Sequence, residues 1–177
     1  MKFKYLICPP EYEFAIDLML FRLKSEKEFI KKNKWGLTDE RLMQELSSDF
    51  RHSIFDKFTT SLFIAGYSEK SKFLKVPTVE HLFSRTLSGK YLFAHSDMSR
   101  NDLWNSIYYK LARIIKIIPE EHKLVGNGFK KEIDKFRNDK FNDIDEKYMK
   151  KYIKECKKRG MSKITFINEY EKLNKYW

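Results

Sequence analysis

The pattern of hydrophobic and polar positions predicts helices along most of the chain. Proline is tolerated in a first helical turn, so the pair Pro9-Pro10 is expected to open a long helix. Its apolar stripe recurs at helical spacing and comprises Tyr12, Ala15, Ile16, Met19, Leu20 and Leu23. Phe14, Leu18 and Phe21 extend this stripe almost around the helix, which favours a central position in the core.

Four more helices are predicted between residues 38 and 136. The first has apolar residues at steps of four down to Gly66, and the second begins at a capping Thr78. The third is the clearest core helix, because Ser99 caps it and Pro119 ends it. Its apolar face comprises Leu103, Ile107, Leu111, Ile114, Ile115 and Ile118. The fourth is a short helix around Ile133.

The last two predicted helices form a basic helical hairpin at residues 143–177. Asp143 and Glu146 match a capping box at the start of its first helix, and Gly160 suits the left-handed position that ends it. Ser162 is expected to cap the second helix. The apolar stripe of the first helix comprises Ile144, Tyr148, Met149, Tyr152, Ile153 and Cys156.

These elements predict a mainly α fold: a compact single-domain bundle of six to seven helices over residues 1–177. Short strand-like runs at residues 2–7, 73–76 and 91–93 leave room for a small accessory β element near the N-terminus. No run of eighteen apolar residues occurs, and the apolar part of the first ten residues is too short for a signal peptide. We therefore expect a soluble, cytoplasmic protein with no membrane partner.

The net charge of +11 indicates a polyanionic partner, such as nucleic acid, an anionic membrane surface or an acidic protein. The charge is concentrated, since the segment from Met149 to Lys163 contains seven Lys and Arg residues and one acid, Glu155. An equally simple interpretation is a solvated helix face that serves only solubility. The predicted nucleic-acid-binding residues are Lys147, Lys150, Lys151, Lys154, Lys157, Lys158, Arg159 and Lys163.

Aromatic residues interleave with these cations and permit two interpretations. They can stack on unpaired bases, as in proteins that bind single strands. Their helical spacing favours the alternative, in which they face the core. The residues concerned are Tyr148, Tyr152, Phe166 and Tyr170.

No catalytic or metal-binding motif is apparent. Cys8 and Cys156 lie far apart, which indicates neither a zinc site nor a disulfide framework. A loop with helix caps explains the neighbouring His95, Ser96 and Asp97 better than a catalytic triad does. We expect no cofactor and no metal, and the sequence favours a binding protein over an enzyme. The four histidines have no ligand partners at metal-binding spacing: His52, His81, His95 and His122.

Two short segments resemble known nucleic-acid-handling families. The positions of Gly160, Ser162 and Thr165 resemble a helix-turn-helix motif, which implies a second helix that presents Lys163 and Asn168 to a DNA groove. This segment departs from the pattern, since Glu169 stands where the motif has a buried apolar residue, and Glu171 adds negative charge.

Residues 136–143, FRNDKFND, resemble the Arg-polar-…-His segment of HEPN-type nucleases, which implies an all-α bundle. Asn142 or Asp143 stands in place of the catalytic histidine, and neither side chain can act as an imidazole acid or base near neutral pH. The resemblance therefore implies a bundle without the usual nuclease chemistry.

Together these patterns predict a small basic protein that binds RNA or DNA mainly through phosphate contacts. The first alternative is a phage or mobile-element type inhibitor or regulator that docks on an acidic or nucleic-acid-handling protein, such as a defence nuclease complex. The second alternative is a HEPN-like or atypical RNase. A steep salt dependence of binding to arbitrary polynucleotides distinguishes the main prediction from both alternatives.

Overall fold

The computed structural model describes residues 4–32, 61–83, 88, 91–92, 95–125 and 146–177. The chain divides into two compact units, each described by itself below. The sheet unit contains the described residues of Thr60–Ser84 and Arg113–Trp177, and the helical unit contains those of Lys4–Thr59 and Arg85–Ala112. The expected single domain over residues 1–177 stays a prediction.

The described part of the helical unit includes a long helix packed against a shorter one. Helix α1 spans Pro10–Lys32, and its start at the proline pair confirms the prediction. Helix α2 spans Arg100–Ser106 and continues as a π-helical turn over Ile107–Leu111. The predicted cap is also confirmed, because the Ser99 hydroxyl accepts a hydrogen bond from the Asp102 backbone N–H at 3.2 Å.

Only one side of α1 is buried. Ile16 and Leu23 are fully buried, whereas Phe14 is 80% exposed and Phe21 is 67% exposed. On α2, Arg100 forms ion pairs with Glu13 and Asp17 on α1. The prediction of a helix buried almost all round is therefore wrong, and α1 is amphipathic.

The sheet unit contains a four-stranded mixed sheet, so the predicted bundle of six to seven helices is wrong although the chain is mainly helical. The sheet order is β2-β3-β1-β4, with a parallel β1–β3 pair in the middle. Both outer pairs, β2–β3 and β1–β4, are antiparallel. The strands are β1 Ile64–Ser68, β2 Thr78–His81, β3 Ile114–Ile117 and β4 Ile164–Phe166.

Strand β3 replaces the second half of the predicted core helix. A strand buried on both faces reads as a continuous apolar run, and a short run of this kind fits helical spacing equally well. Ile114, Ile115 and Ile117 are all buried in the strand. Their β-branched side chains favour the extended backbone, which decides between the two interpretations.

Strand β1 occupies the predicted end of another helix, and Gly66 explains why this segment pairs so closely with β4. A Cβ atom at Gly66 would lie 2.6 Å from the Thr165 backbone oxygen. Only glycine permits this approach, which accompanies a bulge between Ile64 and Gly66 in the pairing with β3. Gly66 was expected to end a helix, but it lies in a strand whose backbone packs closely against β4.

The strand assignments at residues 78 and 164 also correct the prediction. Thr78 begins β2 rather than capping a helix, and Ile164–Phe166 forms β4 where the second helix of the hairpin was expected. None of the predicted accessory strand segments is a strand where it is described: residues 4–9 and 73–76 have no strand, and residues 91–92 are helical. The described N-terminal residues therefore contribute no strand to the sheet.

Two α-helices complete the described part of the sheet unit. Helix α3 spans Pro119–Leu124, so Pro119 opens a helix at its first position rather than ending one. Helix α4 spans Glu146–Lys158. Three 3₁₀ helices span Ser61–Phe63, Glu69–Ser71 and Asn168–Tyr176. The helices predicted around Leu42 and Ile133 lie outside the described residues.

One hydrophobic core joins α4 to the sheet. The helix contributes Met149, Tyr152, Ile153 and Cys156, which confirms the predicted apolar stripe at every core position that is described. Ile144 lies outside the described residues. Strand residues of the same cluster are Ala65, Ile115, Ile117, Ile164 and Phe166. Within the described ranges, no helix is both long and apolar enough to cross a membrane.

Candidate functional site

Helix α4, which carries most of the predicted cations, has a well-defined C-terminal end. Gly160 has φ +78°, and its N–H donates to the Lys157 carbonyl at 3.0 Å. The Met161 N–H donates to the Cys156 carbonyl at 3.1 Å. These two bonds form a Schellman motif and confirm the predicted role of Gly160. The predicted capping residue Asp143 lies outside the described residues.

The inner face of α4 is inert. Burial raises the pKa of Tyr152 well above its usual value, with Cys156 and Glu80 adding to the effect. Burial likewise raises the pKa of the Cys156 thiol, although a hydrogen bond with Tyr152 opposes it. Both side chains are therefore neutral at physiological pH, and a buried neutral thiol is a poor nucleophile. This face stabilises the fold.

The outer face of α4 presents a straight row of cations. At about 100° per residue, four lysines fall within about 60° of one another around the helix axis. The first and last are eleven positions apart, or about 16 Å along the axis. We call this set the lysine ridge: Lys147, Lys151, Lys154 and Lys158. Lys151 is half-buried and the other three are exposed.

The ridge contains no carboxylate. Glu146 and Glu155 lie about 110° and about 70° away from its centre on the helical wheel, on opposite sides. Within the described residues, no ion pair involves Lys147, Lys154 or Lys158. These three ammonium groups are therefore available to an external anion.

Two predicted binding residues, Lys150 and Lys157, lie beside the ridge and contact the protein's own C-terminal residues; we call them the flank lysines. Lys150 Nζ lies 3.4 Å from Glu146 and 4.5 Å from the Tyr176 ring centroid. Lys157 Nζ donates to the Tyr176 carbonyl at 2.9 Å. The flank lysines therefore hold the 3₁₀ helix Asn168–Tyr176 against α4 and contribute less than the ridge to any outward-facing site.

The last two predicted cations lie beyond the helix. Arg159 donates to the Leu124 carbonyl at 3.1 Å, which ties the end of α3 to the end of α4. Lys163 is exposed, and its backbone carbonyl accepts from the Glu69 N–H at 2.8 Å. The eight predicted residues thus separate into a ridge, a flank, one structural arginine and one lysine beside the 69–76 segment.

The aromatic residues expected near these cations do not form a stacking surface. Tyr152, Phe166 and Tyr170 are all buried. Tyr148 is half-buried, and its hydroxyl donates to the Leu82 carbonyl at 2.6 Å. Their helical spacing correctly favoured the core.

The structure also overturns the helix-turn-helix interpretation. The segment after Ser162 forms β4, and the half-buried Glu169 accepts from the fully buried Arg113 at 3.1 Å. Asn168 has φ +55°, a conformation that asparagine tolerates and that breaks the extended segment from the following 3₁₀ helix. An acid at position 169 is therefore explained by Arg113. The segment that resembles HEPN-type nucleases lies outside the described residues.

Glu121 on α3 anchors the segment that links α4 to β4. Its side chain is 2% exposed and accepts hydrogen bonds from the Ser162 backbone N–H at 3.0 Å and from the Ser162 and Ser68 hydroxyls at 2.5 Å each. Burial acts to raise the pKa of Glu121, but these hydrogen bonds, with one from Ile118, outweigh it and the pKa is lowered. Ser162 therefore binds a buried carboxylate instead of capping a helix.

Other candidate chemistry does not converge on a site. His122 Nε2 lies 3.2 Å from the buried Glu80 carboxylate. The two residues are far apart in the sequence, so spacing did not predict this pair. His95 stacks on Tyr91, and the two ring centroids are 4.2 Å apart. His81 is buried on β2. Over the part of the chain that the structure describes, no group of three His, Cys, Asp or Glu side chains is arranged to hold a metal ion.

One exposed feature was missed in the sequence. Residues 69–76 follow β1, and only a short strand-like run at 73–76 was predicted there, yet Phe73 is 87% exposed and Val76 is 88% exposed. Lysines 70, 72 and 75 surround them, and we call this segment the basic loop. The sequence feature that could have revealed this exposed segment is an aromatic residue between lysines, in a stretch without the regular apolar spacing of a core element.

No protein-family model, no curated protein and no solved structure matches this chain.

Proposed function

We propose that this protein binds nucleic acid through its phosphates, with the lysine ridge as the principal contact. The observation that supports the proposal is the straight row of four lysines with no carboxylate on the same line. A nucleic-acid strand carries one phosphate per about 3.4 Å of helix axis, so a ridge of about 16 Å spans about five phosphates. A regular polyanion matches this row along its whole length.

The net charge of +11 favours the same class of partner. Each phosphate that a lysine neutralises releases a condensed counterion, so binding is strong at low salt and falls steeply as salt rises. Lysine acts as a point charge without bidentate geometry, which suits contacts to the backbone rather than to particular bases. We therefore propose binding with little sequence preference.

The first experiment is fluorescence anisotropy with a labelled DNA duplex and a labelled single-stranded RNA. The test variant is the triple substitution K147E/K154E/K158E, which reverses the three exposed ridge lysines. We expect its affinity for both polymers to be at least about 100-fold lower at 50 mM salt, because three phosphate contacts become repulsive. Its free energy of unfolding should remain within about 1.5 kcal/mol of the wild-type value, since exposed substitutions usually change it by about 0.5 kcal/mol each.

A matched control changes the net charge equally at lysines on other elements of the chain. Lys4, Lys24 and Lys172 are exposed, and the substitution K4E/K24E/K172E also removes six units of charge. We expect this control to weaken binding less than about fivefold, through the long-range field alone. Equal losses in the two variants would contradict a localised site. Absence of wild-type binding at low salt would exclude nucleic acid and favour an acidic protein partner.

A further inference from the structure

The basic loop exposes an aromatic ring among cations. Phe73 is 87% exposed, and Lys72 Nζ lies 5.7 Å from its ring centroid. Leu74 and Val76 are also exposed, at 43% and 88%. A phenylalanine this exposed loses the stabilisation that burial of its ring would provide. Packing among the described residues therefore does not account for the presence of Phe73 here.

The base of the loop is rigidly held, so the ring projects from a fixed point. Ser71 is 3% exposed, and its hydroxyl contacts the Ser68 carbonyl at 2.9 Å and the Lys116 carbonyl at 2.8 Å. The Leu74 N–H donates to the Ser71 carbonyl at 3.1 Å. These contacts fix the turn on both sides of Phe73, which lowers the entropy lost when a ligand orders it.

Backbone contacts connect the basic loop to the end of the ridge-bearing helix. The Glu69 N–H donates to the Lys163 carbonyl at 2.8 Å, and the Lys70 N–H contacts the Ser162 hydroxyl at 3.5 Å. Lys163 follows the C-terminal end of α4 by only five residues. A polyanion that leaves the ridge at Lys158 therefore meets a second basic segment on the same unit.

We infer that Phe73 stacks on an unpaired base and that the preferred ligand is single-stranded RNA or DNA. This inference rests on the proposed binding of phosphates by the ridge. Proteins that bind single strands combine a basic track for the backbone with exposed aromatic rings for the bases, and the ridge and the basic loop supply these two parts. Stacked base pairs in a duplex leave no base face for Phe73.

The test substitution is Phe73→Leu, which keeps an apolar side chain of similar bulk and removes the ring. Stacking on one base contributes about 1–3 kcal/mol by alanine substitution, equivalent to a 5- to 150-fold change in affinity. We expect F73L to weaken binding of a single-stranded oligonucleotide by about 5- to 150-fold and of a duplex by less than about twofold. Val76→Ala is the matched control, and it should change neither affinity.

An abasic oligonucleotide of the same length and charge provides an independent control. Wild-type protein should bind it about as weakly as F73L binds the normal single strand, because both complexes lack the stacked pair. Equal effects of F73L on single-stranded and duplex ligands, or no effect on either, would overturn the stacking role and leave the ridge proposal intact. Failure of the wild type to bind any polymer would overturn both proposals.

Anionic phospholipid vesicles are the last ligand to test, since exposed apolar residues flanked by lysines also suit a membrane surface. We expect no vesicle binding that depends on Phe73 at 150 mM salt. Vesicle binding that F73L abolishes, together with unchanged affinity for the single strand, would assign the loop to a lipid surface and overturn the inference.

Discussion

The two faces of α4 are formed by the same thirteen residues, but only the inner face packs in the hydrophobic core. The inner residues Met149, Ile153 and Cys156 are each at most 1% exposed and belong to the core of the sheet unit. The outer residues Lys147, Lys154 and Lys158 are exposed and make no ion pair within the described residues. The fold therefore depends on the packing of the inner face and does not depend on ion pairs of these outer lysines.

On this helix, stability should therefore depend on the inner face, whereas the proposed binding should depend on the outer face. Substitutions on the inner face should change the free energy of unfolding, because they alter packing that the sheet depends on. Substitutions on the ridge should change affinity for a polyanion, because no structural partner is lost. Substitutions on the inner face, at the base of the linking segment and on the outer face should therefore have successively smaller effects on stability.

The largest effect on stability should come from Ile153→Ala on the inner face. Ile153 is 1% exposed, and truncation of a buried isoleucine costs about 2–5 kcal/mol through lost burial and the cavity left behind. We expect a loss of this size in urea-induced unfolding. Affinity for polynucleotides should stay within about twofold under conditions where the variant is folded. A loss below about 1 kcal/mol would show that this face does not hold the unit together.

An intermediate effect should come from Glu121→Gln. This change keeps the shape of the side chain but removes the charge that the Ser68 and Ser162 hydroxyls bind, at an expected cost of about 1–3 kcal/mol. Because the folded pKa of Glu121 is lowered, its contribution is fully present above the unfolded pKa of about 4.3 and is lost as the pH falls through the folded pKa.

The stability difference between wild type and E121Q should therefore be constant from about pH 7 to pH 5 and shrink below about pH 4.3. Urea unfolding of both proteins across this range measures it. A difference that grows as the pH falls would mean that the carboxyl group is protonated in the folded protein, contrary to its hydrogen-bond partners.

The smallest effect on stability should come from the flank lysines. Lys157 contacts the Tyr176 carbonyl and lies 5.9 Å from the Trp177 ring centroid. Contacts of this kind at the surface contribute about 0.5–1 kcal/mol, so K157A should lower the free energy of unfolding by no more than about 1 kcal/mol. Lys158→Ala is the matched control on the ridge. We expect K158A to change stability less and binding more than K157A, and the reverse order would contradict the assignment of flank and ridge.

The sequence predicted α4 well because several independent signals agree there. The apolar stripe has helical spacing, and Gly160 ends the helix as expected. Helix α1 and the Ser99 cap were confirmed for similar reasons, since a proline pair or a capping serine acts through local backbone geometry.

The sheet could not be predicted because its strands are short and three of the four lack a regular alternation of buried and less buried residues. Strand β3 has buried residues on both faces, so its apolar run fits a helix equally well. Strand β4 contains three residues, and its position depends on pairing with β1, almost one hundred residues earlier in the chain. Local propensity contains no information about such distant partners.

The candidate site was predictable only in part. Helical spacing placed the lysines on one side of α4, but it did not separate the ridge from Lys150 and Lys157, whose contacts come from the C-terminal residues. The basic loop was missed because an exposed Phe73 resembles a core residue in sequence.

The most direct test of the ridge proposal is the salt dependence of wild-type binding to a DNA duplex. Three exposed ridge lysines that each neutralise one phosphate predict a slope of log K against log salt of about −2.7, steeper if Lys151 or the basic loop also takes part. K147E/K154E/K158E should bind too weakly at low salt to give a comparable slope. A wild-type slope shallower than about −1, or equal slopes for the two proteins, would show that the ridge does not bind phosphates.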